Sequence, residues 1–320
     1  MRVLVTGAAG FIGSQVAEAL VARGDQVVGV DCFVDYYARA IKERNLSQLR
    51  ESPRFSFVED DLATAELEPL TDSIDAVMHL AAQAGVRASW GRDFRVYADA
   101  NVLATQRLLE ACAARRPRFV YSSSSSIYGD APDLPTVETT LPQPISPYGV
   151  TKLAGEHLCR LYARSAGVPT VSLRYFTVYG PRQRPDMAFH RFLRAQLLKE
   201  DIVVFDDGEQ TRDFTFVGDV VAANLAALER GEPGSVYNIA GGSRVRVNDV
   251  LEAIGRLTGS APRVRREGAQ RGDVRDTHAS TASAERELGW KAKTGLDEGL
   301  EAELAWLRAE LGTDPTIFQR

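Results

Sequence analysis

The sequence predicts an α/β protein, a doubly wound parallel sheet with a smaller C-terminal α/β lobe. Three observations lead there. Apolar runs of strand length alternate with helical stretches as far as about residue 175, the pattern of a parallel sheet covered on both faces. A glycine-rich turn separates the first run from the first helix. Beyond about residue 175 the alternation weakens and segments rich in Arg, Gly and Pro take over.

Taken in order, "RVLVT" reads as a buried strand, "GAAGFIG" as a glycine turn, "SQVAEALVARG" as an amphipathic helix closed by Gly24, and "QVVGVD" as a second strand. Together they make a βαβ unit. Further strands are expected at "FSFVED", "DAVMHLA", "RFVYSSS" and "TVSLRYF", with helices at "ANVLATQRLLEACAAR" and "YGVTKLAGEHLCRLYARSAG". "RDFTFVGDVVAANLAALER" reads as a strand and helix rejoining the first lobe, and "SVYNIA" as another strand. After about residue 241 come short helices and the polar stretch "RVRREGAQRGDVRD", which reads as loops. Residues 1–174 with about 213–240 are thus expected to form a nucleotide-binding, Rossmann-type domain. Residues 175–212 and 241–320 should form an interleaved substrate-binding domain.

Composition narrows the function classes. The 320 residues are 44% hydrophobic and 25% charged, an ordinary globular mix. With 38 basic and 43 acidic residues the net charge is -5, which excludes a general attraction to nucleic acid or membrane. Anion binding must therefore be local. Cys32, Cys112 and Cys159 stand far apart with no metal-ligand spacing, so a reducing compartment with neither disulfide nor structural metal is expected. A strand beginning at about residue 2 leaves no room for a signal peptide. No apolar run approaches the roughly 18 residues that span a bilayer, and a cytoplasmic protein is expected.

Five features carry chemistry. Gly7, Gly10 and Gly13 follow the first strand and open a helix, where bare backbone can approach a pyrophosphate lying on the helix N-terminus. The spacing GxxGxxG departs from GxGxxG, and alone it would fit a tight turn. Asp31 ends the second strand, where a carboxylate accepts from a ribose 2'-hydroxyl and repels a 2'-phosphate, which favours NAD over NADP. Tyr148 and Lys152 lie four apart at a helix start, with Ser146 as N-cap and Pro147 at the first helical position. They share one face, where an ammonium would lower the phenol's pKa below its usual ~10. The serine run 122–126 follows a strand at the sheet's carboxyl edge, where ligands bind and a hydroxyl can shuttle a proton. Finally, Arg174, Arg182, Arg184, Arg191 and Arg194 crowd residues 173–194 with Asp186 as the single acid. That cluster is either a solvated surface or an anion site.

With these residues on the page the chain resembles the extended short-chain dehydrogenase/reductase family over nearly its whole length. "TGAAGFIG", "HLAAQAGVR", "YSSSSSIYG", "YGVTK" and "RDFTFVGDV" look like that family's motifs in that family's order. Within it the chain is most similar to UDP-glucuronic acid 4-epimerases, on "RYFTVYGPRQRPDMAFHRF" and "AGVRASW". Sugar-nucleotide dehydratases carry an Asp-Glu pair where Ser125 and Ser126 stand, so dehydration is not implied. The resemblance implies transient oxidation of the sugar at C4 by bound NAD, with Tyr148, Lys152 and Ser124 catalytic.

The same resemblance implies cofactor contacts from Gly7, Gly10, Phe11, Ile12, Gly13, Asp31, Asp61, Leu62, Leu80, Ala81, Ala82, Asn101, Ser122 and Tyr175. It implies substrate contacts from Val86, Arg87, Ser125, Ser126, Thr177, Arg184, Arg191, Arg212 and Asp273. Arg191 and Arg212 would face the pyrophosphate, and Thr177 and Arg184 a uronate carboxylate, since guanidinium forks bind both groups bidentately. A homodimer built from the helices near 98–114 and 147–165 is also implied. Three alternatives stay open: a neutral-sugar 4-epimerase, a decarboxylase of the same substrate, and a non-catalytic nucleotide sensor. Retention of Tyr148 and Lys152 weighs against the last.

Overall fold

Val3, Leu4 and Val5 are wholly buried, which a strand achieves only between two neighbours and under helices on both faces. In the computed structural model, which describes residues 1–318, they belong to β1 (Arg2–Thr6). There follow α1 (Phe11–Arg23), β2 (Gln26–Asp31), α2 (Arg39–Arg50), β3 (Phe55–Glu59), the single turn α3 (Glu68–Thr71), β4 (Ala76–His79) and α4 (Phe94–Ala98). A π-helical turn, Asp99–Leu103, joins α4 to α5 (Ala104–Cys112); β5 (Arg118–Ser124), α6 (Pro147–Ser165) and β6 (Thr170–Tyr175) come next. The remainder holds β7 (Thr177–Tyr179), α7 (Ala188–Leu198), β8 (Ile202–Phe205), β9 (Thr211–Phe216), α8 (Val217–Arg230) and β10 (Val236–Ile239). The chain continues through β11 (Arg244–Arg246), α9 (Val247–Thr258), β12 (Val264–Glu267) and α10 (Leu296–Thr313).

Seven parallel strands form one sheet in the order β10-β6-β5-β4-β1-β2-β3. β1 pairs with β2 on one side and β4 on the other, so the strand order reverses there and a crevice opens at the carboxyl ends. Alternation along β1 divides the core: Val3 and Val5 join α1 and α8 through Val16, Leu20 and Val220. Leu4 joins α5 and α6 through Leu108 and Cys159 on the opposite face. A separate core of Phe189, Leu193, Val204, Phe214, Ile254 and Leu304 lies among the later elements.

Two expectations need correction. α8 and β10 return to the large sheet, but β9 pairs with β7 and β11 in a three-stranded sheet. The run Thr211–Phe216 is apolar enough for either sheet; its place is fixed by Phe214 packing into the second core. "RVRREG" is not loop throughout, because β12 pairs in parallel with β8. Its side chains are mostly exposed, so the strand is held by backbone hydrogen bonds and carries no hydrophobic periodicity to read. Among the described residues no helix is long and apolar enough to cross a membrane.

Candidate active site

A cavity of about 430 Å³ opens at the carboxyl ends of the central strands. The glycine turn forms its floor. Gly7 sits at φ 69°, and a Cβ there would lie 2.8 Å from the Ala81 backbone nitrogen; a Cβ on Gly13 would overlap the Gly7 carbonyl oxygen. Side chains at these two positions would push the turn off β4 and off the helix behind it. α1 starts at Gly10 without a side-chain cap, leaving its first N–H groups and dipole for an anion. Phe11, Ile12, Asp31, Asp61, Leu62, Leu80, Ala81, Ala82, Ser122 and Tyr175 line the same cavity. Asp31 accepts from the backbone N–H groups of Phe33 at 2.9 Å and Ala9 at 3.2 Å. The cradle therefore fits a dinucleotide: bare backbone at the helix N-terminus, and a carboxylate at the end of β2.

Asn101 does not line the cavity. It is buried in the π-helical turn, where its amide accepts from the Gln83 N–H at 2.7 Å and donates to the Gln83 carbonyl and the Thr151 hydroxyl. Three of its four possible hydrogen bonds are used, two of them to fix the Gln83 backbone beside the wall. Tyr36, Tyr37, Lys42 and Gln83 do line it and were not foreseen. Lys42, buried, lies 3.7 Å from Asp31 and donates to the Val34 carbonyl. The available signal was "DYYARAIK", in which a lysine on a polar helix reads as a solvated face.

Ser146 caps α6 by accepting from the Gly149 N–H at 3.1 Å, and Pro147 occupies the first turn. The cap fixes the helix start and brings Tyr148 and Lys152, one turn apart, to the cavity wall. Lys152 is 3% exposed and donates to the Ser122 carbonyl at 2.7 Å. Burial pulls its pKa down to about 7. Burial raises the pKa of Tyr148, while a hydrogen bond from Ser124 and the positive charge of Arg184 pull it down. The expectation that Lys152 lowers it is not met in the chain alone: the lysine turns to the Ser122 carbonyl, not to the phenol, and its own burial favours the neutral amine. Ser124 ends β5, and its hydroxyl accepts from the Ser126 N–H at 3.1 Å. Tyr148 packs edge-on against Tyr97 at 6.3 Å between centroids.

The depressed lysine makes a stability prediction. An unfolded lysine takes its proton near ~10.4 and the folded one near about 7, so between these values the unfolded state binds more protons. Stability from this group is complete above the upper value and is lost as pH falls toward the lower one. Lys152→Met removes that dependence. Its Tm relative to wild type is expected to be highest near pH 7 and to fall steadily toward pH 10, checked by thermal unfolding of the cofactor-free proteins across that range.

The arginine cluster resolves into separate fates. Arg174 is buried against Glu156 at 2.5 Å and donates to the Tyr128 hydroxyl at 2.6 Å. Ser123 donates to the same Glu156, so this network braces the serine strand. Arg182 pairs with Glu18 at 2.8 Å and Arg194 with Glu200 at 3.5 Å. Arg184 lines the cavity and is held by Asp186 at 2.9 Å. Arg191 alone of the five has no ion pair among the described residues.

Arg191 lies instead near a second group outside the cavity wall. Its guanidinium is 5.7 Å from the Phe205 ring centroid, and that of Arg87, paired with Asp273 at 2.6 Å, is 4.1 Å from it. Arg212 donates to the carbonyls of Thr211 and Arg275 at 2.9 Å. Burial lowers the pKa of Arg191 and of Arg212, and the like charge of Arg87 acts in the same direction on both. Asp273 and Asp276 act against this on Arg212, and Glu267 and Asp186 on Arg191, but Arg191 has no ion pair among the described residues, which leaves it suited to an incoming anion. Val86 abuts the turn at Gly272 next to Asp273. Ser125, Ser126 and Thr177, in the short turn after β5 and at the start of β7, also stand outside the cavity lining.

The comparisons with known proteins agree with this geometry. The chain is 43% identical over 312 residues to the uncharacterized UDP-glucose epimerase YtcB of Bacillus subtilis (strain 168), covering 96% of this chain and 98% of that one. It is 36% identical over 314 residues to the UDP-glucuronate 4-epimerase of Thermodesulfobacterium geofontis (strain OPF15), covering 96% of each. The crystal structure of the Bacillus cereus UDP-glucuronic acid 4-epimerase, in complex with UDP-glucuronic acid and NAD, superposes with a TM-score of 0.94 at 41% identity. That match covers 97% of this chain and 100% of the other. A family model matches residues 3–240, a span that takes in the glycine turn, Asp31 and the Tyr148/Lys152 pair, and the chain belongs to the NAD dependent epimerase/dehydratase family.

Proposed function

We propose that the protein is a UDP-glucuronate 4-epimerase that interconverts UDP-glucuronic and UDP-galacturonic acid with NAD. The observation that carries it is Arg184: a guanidinium on the wall that also holds Tyr148 and Lys152 suits a substrate with a carboxylate close to its reacting carbon. The glycine turn, Asp31, Asp61, Leu62, Leu80, Ala81, Ala82, Ser122 and Tyr175 would hold NAD, with Lys152 at its nicotinamide end. Bound NAD supplies an acceptor that takes a hydride from C4 and returns it. Tyr148, helped by Ser124, takes the proton from the 4-hydroxyl and gives one back after the 4-keto sugar has turned its other face. Arg191 and Arg212 receive the pyrophosphate, with Val86, Arg87 and Asp273 beside them. Ser125, Ser126, Thr177 and Arg184 hold the sugar and its carboxylate.

In this reading the second lobe, residues 175–212 and 241–320, takes the UDP-sugar. The chain works as a homodimer through the helices near 98–114 and 147–165, where Leu103, Val150 and Leu161 are 44%, 48% and 54% exposed. The UDP-glucose epimerase among its relatives favours a second reading, a neutral-sugar 4-epimerase with the same chemistry. Proton NMR of UDP-glucuronic acid incubated with purified protein and NAD separates them. Appearance of UDP-galacturonic acid without pentose supports the proposal; pentose alone makes the enzyme a decarboxylase, and turnover of UDP-glucose only gives the neutral reading. Arg184→Ala is expected to lose about 10- to 150-fold more kcat/KM toward UDP-glucuronic acid than toward UDP-glucose, the worth of a charged hydrogen bond of about 1.5–3 kcal/mol.

A further inference from the structure

Arg184 is engaged within the chain itself, and the manner of the engagement is informative. Asp186 binds it side-on, Oδ1 to Nε and Oδ2 to Nη2, both at 2.9 Å. A guanidinium has five N–H groups, so Nη1 and the second N–H of Nη2 stay unpartnered among the described residues. Arg184 lines the cavity, whereas Asp186 does not. The carboxylate therefore sits behind the fork and leaves its end edge available.

One further side-chain contact holds Asp186 in place, from Tyr36, and two backbone features support it. The Met187 N–H donates to the Arg184 carbonyl at 3.1 Å, closing a tight turn around the pair. The Tyr36 hydroxyl, reaching from the loop after β2, donates to Oδ2 of Asp186 at 3.2 Å. Gly85 at φ 105° leaves room for that hydroxyl, since a Cβ there would collide with it.

We propose that Asp186 is a positioning residue, held by Tyr36, that fixes the Arg184 fork so that its free edge grips the uronate carboxylate. The proposal rests on the uronate reading above. A guanidinium flanked by two carboxylates is oriented more than it is charged: Asp186 weakens the net pull of Arg184 and restricts its rotation.

That trade suits the chemistry. The 4-keto uronate is a β-keto acid: when the C5–C6 bond stands perpendicular to the ring carbonyl, that bond breaks, CO₂ leaves, and its electron pair forms the C4–C5 enolate, which then takes a proton from water at C5. A fork that keeps C6 near the ring plane suppresses this. A free-swinging fork does not.

The test uses the NAD-loaded enzyme and its Asp186→Asn, Asp186→Ala and Tyr36→Phe variants. Two quantities are read: the pentose-to-galacturonate product ratio by proton NMR, and the ratio of kcat/KM for UDP-glucuronic acid over UDP-glucose. Asp186→Ala is expected to raise the first at least fivefold and lower the second about tenfold. Asp186→Asn, which keeps one acceptor and the shape, should fall between it and wild type, with Tyr36→Phe shifting both ratios the same way by less. If both ratios stay at their wild-type values in Asp186→Ala and Asp186→Asn, even with total rates reduced, the proposal is overturned and the uronate reading stands. If wild type itself ignores UDP-glucuronic acid, the reading falls and takes the proposal with it.

Discussion

Tyr148→Phe is expected to bind NAD and UDP-sugar within a fewfold of wild type while kcat falls by about 10²–10⁴-fold, the range for a lost general acid–base group. Only an oxygen is removed. The ring keeps its edge-on contact with Tyr97, and Lys152 is anchored on Ser122, independently of the phenol. The pH profile carries the sharper signature. The base form is the phenolate, and burial raises the pKa of the group, so the reactive fraction grows with pH through the neutral range. Wild-type kcat/KM should rise there and the residual rate of Tyr148→Phe should not. Initial rates by NMR between pH 6 and 9, with calorimetric binding of the sugar nucleotide, check both halves. A variant that retains more than a tenth of the rate would remove the tyrosine from the proton transfer.

How far this site could be read in the sequence depended on what kind of force placed each residue. Gly7, Gly13 and Asp31 were legible because local backbone geometry at a strand–helix turn dictates them. Tyr148 and Lys152 were legible because a cap and a proline fix the start of their helix. What stayed hidden was long-range. Asp186, two residues from Arg184, is visible in the sequence as the single acid of the cluster, but Tyr36, which holds it, comes 150 residues earlier and nothing local marks it. Lys42 looked like surface until α2 folded it beneath the cavity. β12 has no apolar alternation to betray it. Burial likewise decided the tyrosine's pKa, a quantity that helical spacing alone misjudged. The five arginines could be counted in the sequence but not sorted, because Glu156 and Glu18, which take up Arg174 and Arg182, lie on distant helices, and nothing local tells Arg191, which stays unpaired among the described residues, from Arg184 and Arg194, which pair with nearby acids.

That sorting yields an expectation of opposite signs. Arg191→Met should weaken UDP-sugar binding by about 10- to 150-fold, the equivalent of about 1.5–3 kcal/mol for hydrogen bonds to a charged group. The same change should raise the Tm of the empty protein by a few degrees. Arg191 has no ion pair among the described residues, its charge is half-buried beside Arg87, and methionine keeps the apolar stem against Phe205. Removing the head therefore relieves desolvation and the repulsion of Arg87, which Glu267 and Asp186, neither of them paired with Arg191, offset in part and a bound anion would offset more fully. Arg212→Met should weaken binding to a similar degree and lower the Tm, because its guanidinium satisfies the carbonyls of Thr211 and Arg275 and leaving them unpaired costs about 1–3 kcal/mol. Titration calorimetry with UDP and thermal unfolding of both variants separate the two cases. If Arg191→Met melts below wild type, Arg191 is a structural residue. If it melts higher but binds UDP as tightly, the cluster serves some other anion. A higher Tm with weaker binding identifies a charge kept at a cost to folding so that the pyrophosphate can neutralise it.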